Sequence, residues 1–284
     1  MFFQYSIYSY HTRKDSKIKC NKVAFLIKKY IISRLAFFGY MFLLFNILLF
    51  AVTLAGGSIP LWSKHWNERS MKYLLAFSGA FLLSITLLHL VPETVEGGGH
   101  QAGLLILGGF FLQQIIQVFT HGVEHGHAHV HPGQERVSIM PIFIGLAVHA
   151  FSEGLPLGGM YADNSVVPSL YMAIALHKLP EAMLITSLVF VATNKRRRAL
   201  GSLIIFSLVT PAAAMLSYYL GMRFEWVATF INLSIPVIAG AFVHIATTIF
   251  FESGTKSHDM NLKKWLAIGA GVGLGLLTII GHDH

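Results

Sequence analysis

A single cysteine, Cys20, stands in this sequence. It excludes an intrachain disulfide and any metal site built on paired thiolates. Charge is scarce too. Of 284 residues 12% are charged and 13 are acidic, while 54% are hydrophobic and the mean hydropathy is +0.61. Soluble domains carry about 25% charged residues, so the composition excludes a soluble globular enzyme. Short segments of alternating polarity, the mark of a membrane β-barrel, are missing because the apolar runs are continuous. The H-E-x-x-H pattern of zinc peptidases is absent. The first residues show no signal-peptide cleavage pattern.

The chain has instead apolar runs of about 20 residues, each enough to cross a hydrocarbon core about 30 Å thick. They give eight spans, over 35–61, 71–91, 102–119, 139–160, 167–192, 200–220, 226–251 and 262–280. The predicted fold class is an all-α polytopic membrane protein with eight transmembrane helices. Residues 35–284 are read as one transmembrane domain, with a His-rich loop over 120–136, and residues 1–34 as a basic tail. The net charge of +8 arises there: residues 1–40 hold eight Lys or Arg against Asp15, which leaves the remainder near +1. Such a balance points to the lipid bilayer and to no nucleic-acid partner. Met41 opens a clean apolar stretch and is an alternative start.

Lys and Arg gather in the loops after the first, third, fifth and seventh spans, as in Lys195–Arg198. The opposite loops hold only Arg223, with Glu93, Glu96 and Asp163. The positive-inside rule makes the basic side cytoplasmic and both termini extracytoplasmic, in a cell membrane (inner or plasma). The basic tail runs against this rule.

The chemistry is concentrated between residues 149 and 181. HAFSEGLPLGG lies in the fourth span and LHKLPEAM in the fifth. His149 and Glu153 are four residues apart, as are His177 and Glu181, so each pair shares one helix face. Ionisable groups inside a membrane are costly and mark functional sites. Two imidazoles and two carboxylates on consecutive helices suit a divalent transition metal. Pro156 and Pro180 each remove a helical hydrogen bond, freeing the carbonyls of Ser152 and Leu176 beside Glu153 and His177. Gly154, Gly158 and Gly159 predict close helix approach. Lys178 can reach a shared carboxylate, either to compensate charge when no metal is bound or simply to neutralise Glu181.

Other polar residues are less specific. His121, His125, His127, His129 and His131 crowd the linker between the third and fourth spans, a composition suited to weak auxiliary metal binding. His282 and His284 repeat this at the C-terminus. His89, His244 and the Gln113, Gln114 and Gln117 stripe either line a pathway or make helix-packing hydrogen bonds.

These residues resemble those of the ZIP (ZRT/IRT-like) divalent metal transporters. LLHLVPE is similar to that family's second helix, HAFSEGLPLGG to its fourth, HKLPEA to its fifth and AGAFVHIATTIFFE to its seventh. The resemblance implies an eight-helix bundle, a homodimer, extracytoplasmic termini, and movement of zinc, iron or manganese toward the cytoplasm. It implies His149, Glu153, His177 and Glu181 as the transport site. Many members build a second metal site where this chain has Ala150 and Lys178, so one metal per protomer is expected, with the Lys178 ammonium in the second ion's place. Zn2+ is the expected cargo, with Fe2+ or Mn2+ as alternatives, and no resident cofactor is expected. The rival from another class is an intramembrane metal-dependent hydrolase using the same cluster to activate water. Short loops that could not cradle a bulky substrate weigh against it.

Overall fold

A backbone inside lipid must satisfy its polar groups internally, and continuous apolar runs do so as helices. The computed structural model describes residues 39–63, 68–120, 139–159, 166–252 and 262–280. Among these, every regular element is helical: α1 (Gly39–Trp62), then α2 (Glu68–Ile85), α3 (Val91–Thr120), α4 (Ile139–Leu157), α5 (Val166–Thr193), α6 (Arg196–Arg223), α7 (Glu225–Glu252) and α8 (Leu262–Ile280). Eight stretches of the described residues are long and apolar enough to cross a membrane. The basic tail, the linker histidines 121–131, His282 and His284 lie outside the described residues. The chain divides into two compact units, Met1–Asn46 and Ile47–His284. The first is described only from residue 39, as helix in which Asn46 Nδ2 donates to the Phe42 carbonyl at 2.9 Å. The second holds the rest of α1 and the other seven spanning helices.

Two boundaries differ from the reading of the sequence. The second span, read as ending at residue 91, continues as helix through Pro92 and Glu93. Pro92 has no N–H to donate, and its ring crowds the carbonyl one turn back. The backbone accommodates it with a π-helical turn, Thr86–Leu90, in which the Val91 N–H donates to the Thr86 carbonyl five residues back. The break falls at Gly99, whose φ of 53° and ψ of −135° side-chain-bearing residues rarely adopt. The α6 helix also starts earlier than expected, because the basic run that opens it is itself helical.

Lipid is as apolar as leucine, so helices associate through close van der Waals packing, and small residues permit it. The α3 and α7 helices touch backbone to backbone at reciprocal glycines. A Cβ on Gly109 would overlap the Val237 carbonyl, and one on Gly240 would overlap that of Ile106. Against α8, Phe77 and Ala80 of α2 meet Gly271, and Ser84 meets Gly275. In the α1 helix, Gly57 admits Leu203 and Ala182. The α5 helix and the span Met71–Glu96 are largely buried, whereas Gly98–Val118 and Leu262–Ile279 are mostly exposed. Ile142, Leu146, Ile185, Leu188 and Phe206 form one apolar core between α4, α5 and α6.

Neighbouring glycines on α3 supply a test. Nothing lies within 4 Å of a Cβ on Gly108, whereas one on Gly109 strikes main chain that cannot rotate away. Gly109→Ala is expected to cost about 1–3 kcal/mol through forced helix separation. Gly108→Ala should stabilise by about 0.5–1 kcal/mol through helix propensity. Thermal unfolding in detergent would separate them, and equal behaviour would refute the close crossing.

Candidate metal centre

Half of the centre comes from α4. That helix ends one residue after Pro156, and the chain leaves it in tight turns from Gly158 N–H to the Leu155 carbonyl (3.2 Å) and Gly159 N–H to the Pro156 carbonyl (3.0 Å). The expected close approach is to α6: a Cβ on Gly154 would meet the Thr210 carbonyl and Ala213, and one on Gly158 would meet Ser217 and Tyr218. The Thr210 hydroxyl donates to the carbonyl of Ala150 at 2.9 Å, the residue after His149. This tie fixes the turn of α4 that presents the imidazole. The other half comes from α5, which stays helical through Pro180 and is buried on nearly all sides over residues 177–186.

These two helices bring His149, Glu153, His177 and Glu181 together, each at most 1% exposed. One potential ligand atom from each lies within 4.8 Å of all the others. His149 Nε2 is 3.1 Å from Oε1 of Glu153 and 3.1 Å from Oε1 of Glu181. His177 Nε2 is 3.1 Å from the same Glu181 oxygen and 3.9 Å from Oε1 of Glu153. The two rings stand perpendicular, with centroids 6.1 Å apart. In a tetrahedral zinc site with bonds of about 2.1 Å, neighbouring ligand atoms are about 3.4 Å apart. The spacing here brackets that value, with Glu181 Oε1 as the shared corner.

Lys178 divides the work of each carboxylate. Its Nζ pairs with Oε2 of Glu153, and with Oε2 of Glu181 at 2.6 Å. The Oε1 atoms are left facing the imidazoles. The ammonium also rests over the Phe206 ring, 5.0 Å from its centroid, a favourable seat for a desolvated cation. Two carboxylates and one ammonium leave the buried cluster with one net negative charge when both imidazoles are neutral. A set of two nitrogens and two oxygens is then available to a divalent cation.

Two further buried histidines of the spans, His89 and His244, sit elsewhere. His89, in the π turn, has Nε2 2.8 Å from the Thr278 hydroxyl of α8. His244 of α7 has Nε2 2.7 Å from Oε1 of Gln117 and packs edge-on to Phe110 with centroids 4.8 Å apart. Gln113, four residues before Gln117 on α3, is buried, while Gln114 is exposed. Thr210 and Phe206 support the centre and carry no signal in the sequence, because on an apolar span neither residue type marks a role.

A family model described as ZIP zinc transporter matches residues 120–279. A zinc transporter ZIP9 of Micropogonias undulatus is 26% identical over 293 residues, covering 80% of this chain and 93% of that protein. Zinc transporter ZIP9-A of Xenopus laevis is 30% identical over 199 residues, covering 63% of this chain and 65% of its own length. The region matched by the family model contains both His–Glu pairs, that of α4 and that of α5. This chain belongs to the ZIP zinc transporter family, and is a multi-pass membrane protein of metal transport rather than an enzyme.

Proposed function

We propose that the chain carries Zn2+ toward the cytoplasm, with His149, Glu153, His177 and Glu181 as its transient ligands and one ion held per protomer. The observation that carries this reading is the convergence of two imidazole nitrogens and two carboxylate oxygens within 4.8 Å at a buried position on spanning helices. An ion entering from outside exchanges water for these four atoms. It binds without a thiolate, firmly enough to dehydrate and weakly enough to leave, as conduction requires. The direction is supported by the basic loops, whose charge favours a cytoplasmic side for the linker histidines 121–131, where these would receive the ion. Lys178 occupies the outer oxygens of both carboxylates and so keeps a second ion out. Fe2+ and Mn2+ are the competing cargoes, and a homodimer is the proposed assembly.

Protons compete for the same ligands. Imidazole and carboxylate must be deprotonated to hold a metal, so proton binding weakens the site as pH falls. Zinc uptake into proteoliposomes, measured with Fe2+ and Mn2+ as competitors, is expected to rise from pH 5 toward neutrality. If the reconstituted protein moved no divalent metal anywhere between about pH 5 and 8, across the usual imidazole range, this reading would fail.

A further inference from the structure

The junction of α5 with the first turn of α6 carries positive charge that the described residues do not neutralise. Lys195, Arg196, Arg197 and Arg198 are consecutive and all exposed. Among the described residues no ion pair involves these four. Glu225 follows the far end of α6, a helix of 28 residues, which places it about 40 Å away. The cluster therefore stands as a block of four cations at one end of a spanning helix.

Its surroundings say what it faces. The Arg196 guanidinium lies over Trp62, with Cζ 5.5 Å from the ring centroid. Trp62 ends α1 and is 69% exposed, as an aromatic at a membrane–water boundary is. Leu61, Val189 and Ala199 pack together beneath the turn, joined by Phe190 and Leu200. The turn is held closed by the Lys195 N–H, which donates to the Thr193 hydroxyl at 3.3 Å. Four cations are thus presented on a firm apolar base beside an interfacial tryptophan. Guanidinium groups bind phosphate oxygens in paired, planar contacts.

We propose that the Lys195–Arg198 run, at the start of α6, is a docking site for the headgroups of anionic phospholipids, which pin the end of the bundle where α1, α5 and α6 meet. Free phosphate shares the headgroup's chemistry. The exposed tryptophan and the position at the end of two spans select the lipid. Because α5 also carries His177 and Glu181, the pinned helix is one that builds the metal centre. Docking of this kind requires the membrane fold and is indifferent to which ion is carried.

The test uses the full chain in phosphatidylcholine nanodiscs containing trace spin-labelled phosphatidylglycerol or spin-labelled phosphatidylcholine. Electron spin resonance then reads the fraction of label held at the protein surface. The wild type is expected to retain the anionic label several-fold better than the neutral one, with the preference shrinking as sodium chloride is added. A basic residue near an anionic surface is worth up to about a fivefold change, so Arg197→Gln with Arg198→Gln should at least halve the preference, the remainder coming from Lys195 and Arg196. Arg197→Lys with Arg198→Lys should keep most of it. Unchanged zinc binding confirms that the variants are folded. Inorganic phosphate at matched ionic strength should not release the lipid label. The proposal is overturned if the wild type shows no preference, or if the glutamine pair keeps it. It is also overturned if inorganic phosphate displaces the label completely, which would identify a free-anion site. The wild-type comparison does not depend on any variant folding.

Discussion

His177→Ala is expected to lower zinc uptake by more than about 100-fold while leaving the protein folded. Loss of an outer partner of a metal ligand already costs roughly 10- to 100-fold in affinity or activity, and His177 offers its own ring nitrogen to the cluster. Its Nε2 stands 3.1 Å from Glu181 Oε1, so removing the ring opens one corner of the four-atom set. The carboxylates are expected to differ from one another. Glu181 Oε1 lies 3.1 Å from both imidazoles, whereas Glu153 Oε1 is 3.1 Å from one and 3.9 Å from the other. Glu181→Gln should therefore weaken zinc binding more than Glu153→Gln. Proteoliposome uptake and equilibrium zinc binding, measured side by side, check both statements. Uptake by His177→Ala within about threefold of wild type would remove the cluster from the transport path.

Lys178→Ala acts in the opposite sense. Taking one partner from a buried ion network leaves an uncompensated charge, at a cost of about 3–5 kcal/mol. Lys178 is 1% exposed and is the cation paired with both carboxylates, so the variant without metal should unfold at a clearly lower temperature. Zinc should restore that loss, because a divalent ion supplies the missing charge and ligand binding stabilises the folded state by mass action. With the Oε2 atoms released, the stoichiometry should move from one ion toward two per protomer, and uptake should persist. Chelator-dependent unfolding together with zinc counting decides the matter. A metal-free variant as stable as the metal-free wild type, still binding one ion, would show that the lysine has no compensating role.

Much of this protein is legible from its sequence because a membrane narrows the choices. A continuous apolar run of about 20 residues can only be a helix there, and so the spans agree to within a few residues at α4, α5, α7 and α8. The His–Glu pairs are legible for a related reason. A four-residue spacing puts His149 with Glu153, and His177 with Glu181, on one face of whatever helix carries them. Ionisable side chains inside such a run stand out against leucine, valine and glycine.

The rest depends on what lies across a helix–helix contact. The sequence shows that Lys178 is near Glu181, three residues on. Only the packing of α4 against α5 shows that it also reaches Glu153 and that each carboxylate turns one oxygen to it. Gly108 and Gly109 are adjacent and identical, yet one faces open space and the other a neighbouring backbone. His89 and His244 look like any other membrane histidines until α8 and α3 bring Thr278 and Gln117 against them. Thr210 cannot be singled out at all, since its role is a hydrogen bond to a residue 60 positions away. Sequence by itself determined the helices, their number and the two His–Glu faces, because hydropathy and the helical repeat act over short distances. The tertiary structure alone decided which faces meet and which oxygen serves which cation, because those choices rest on contacts between residues far apart in the chain.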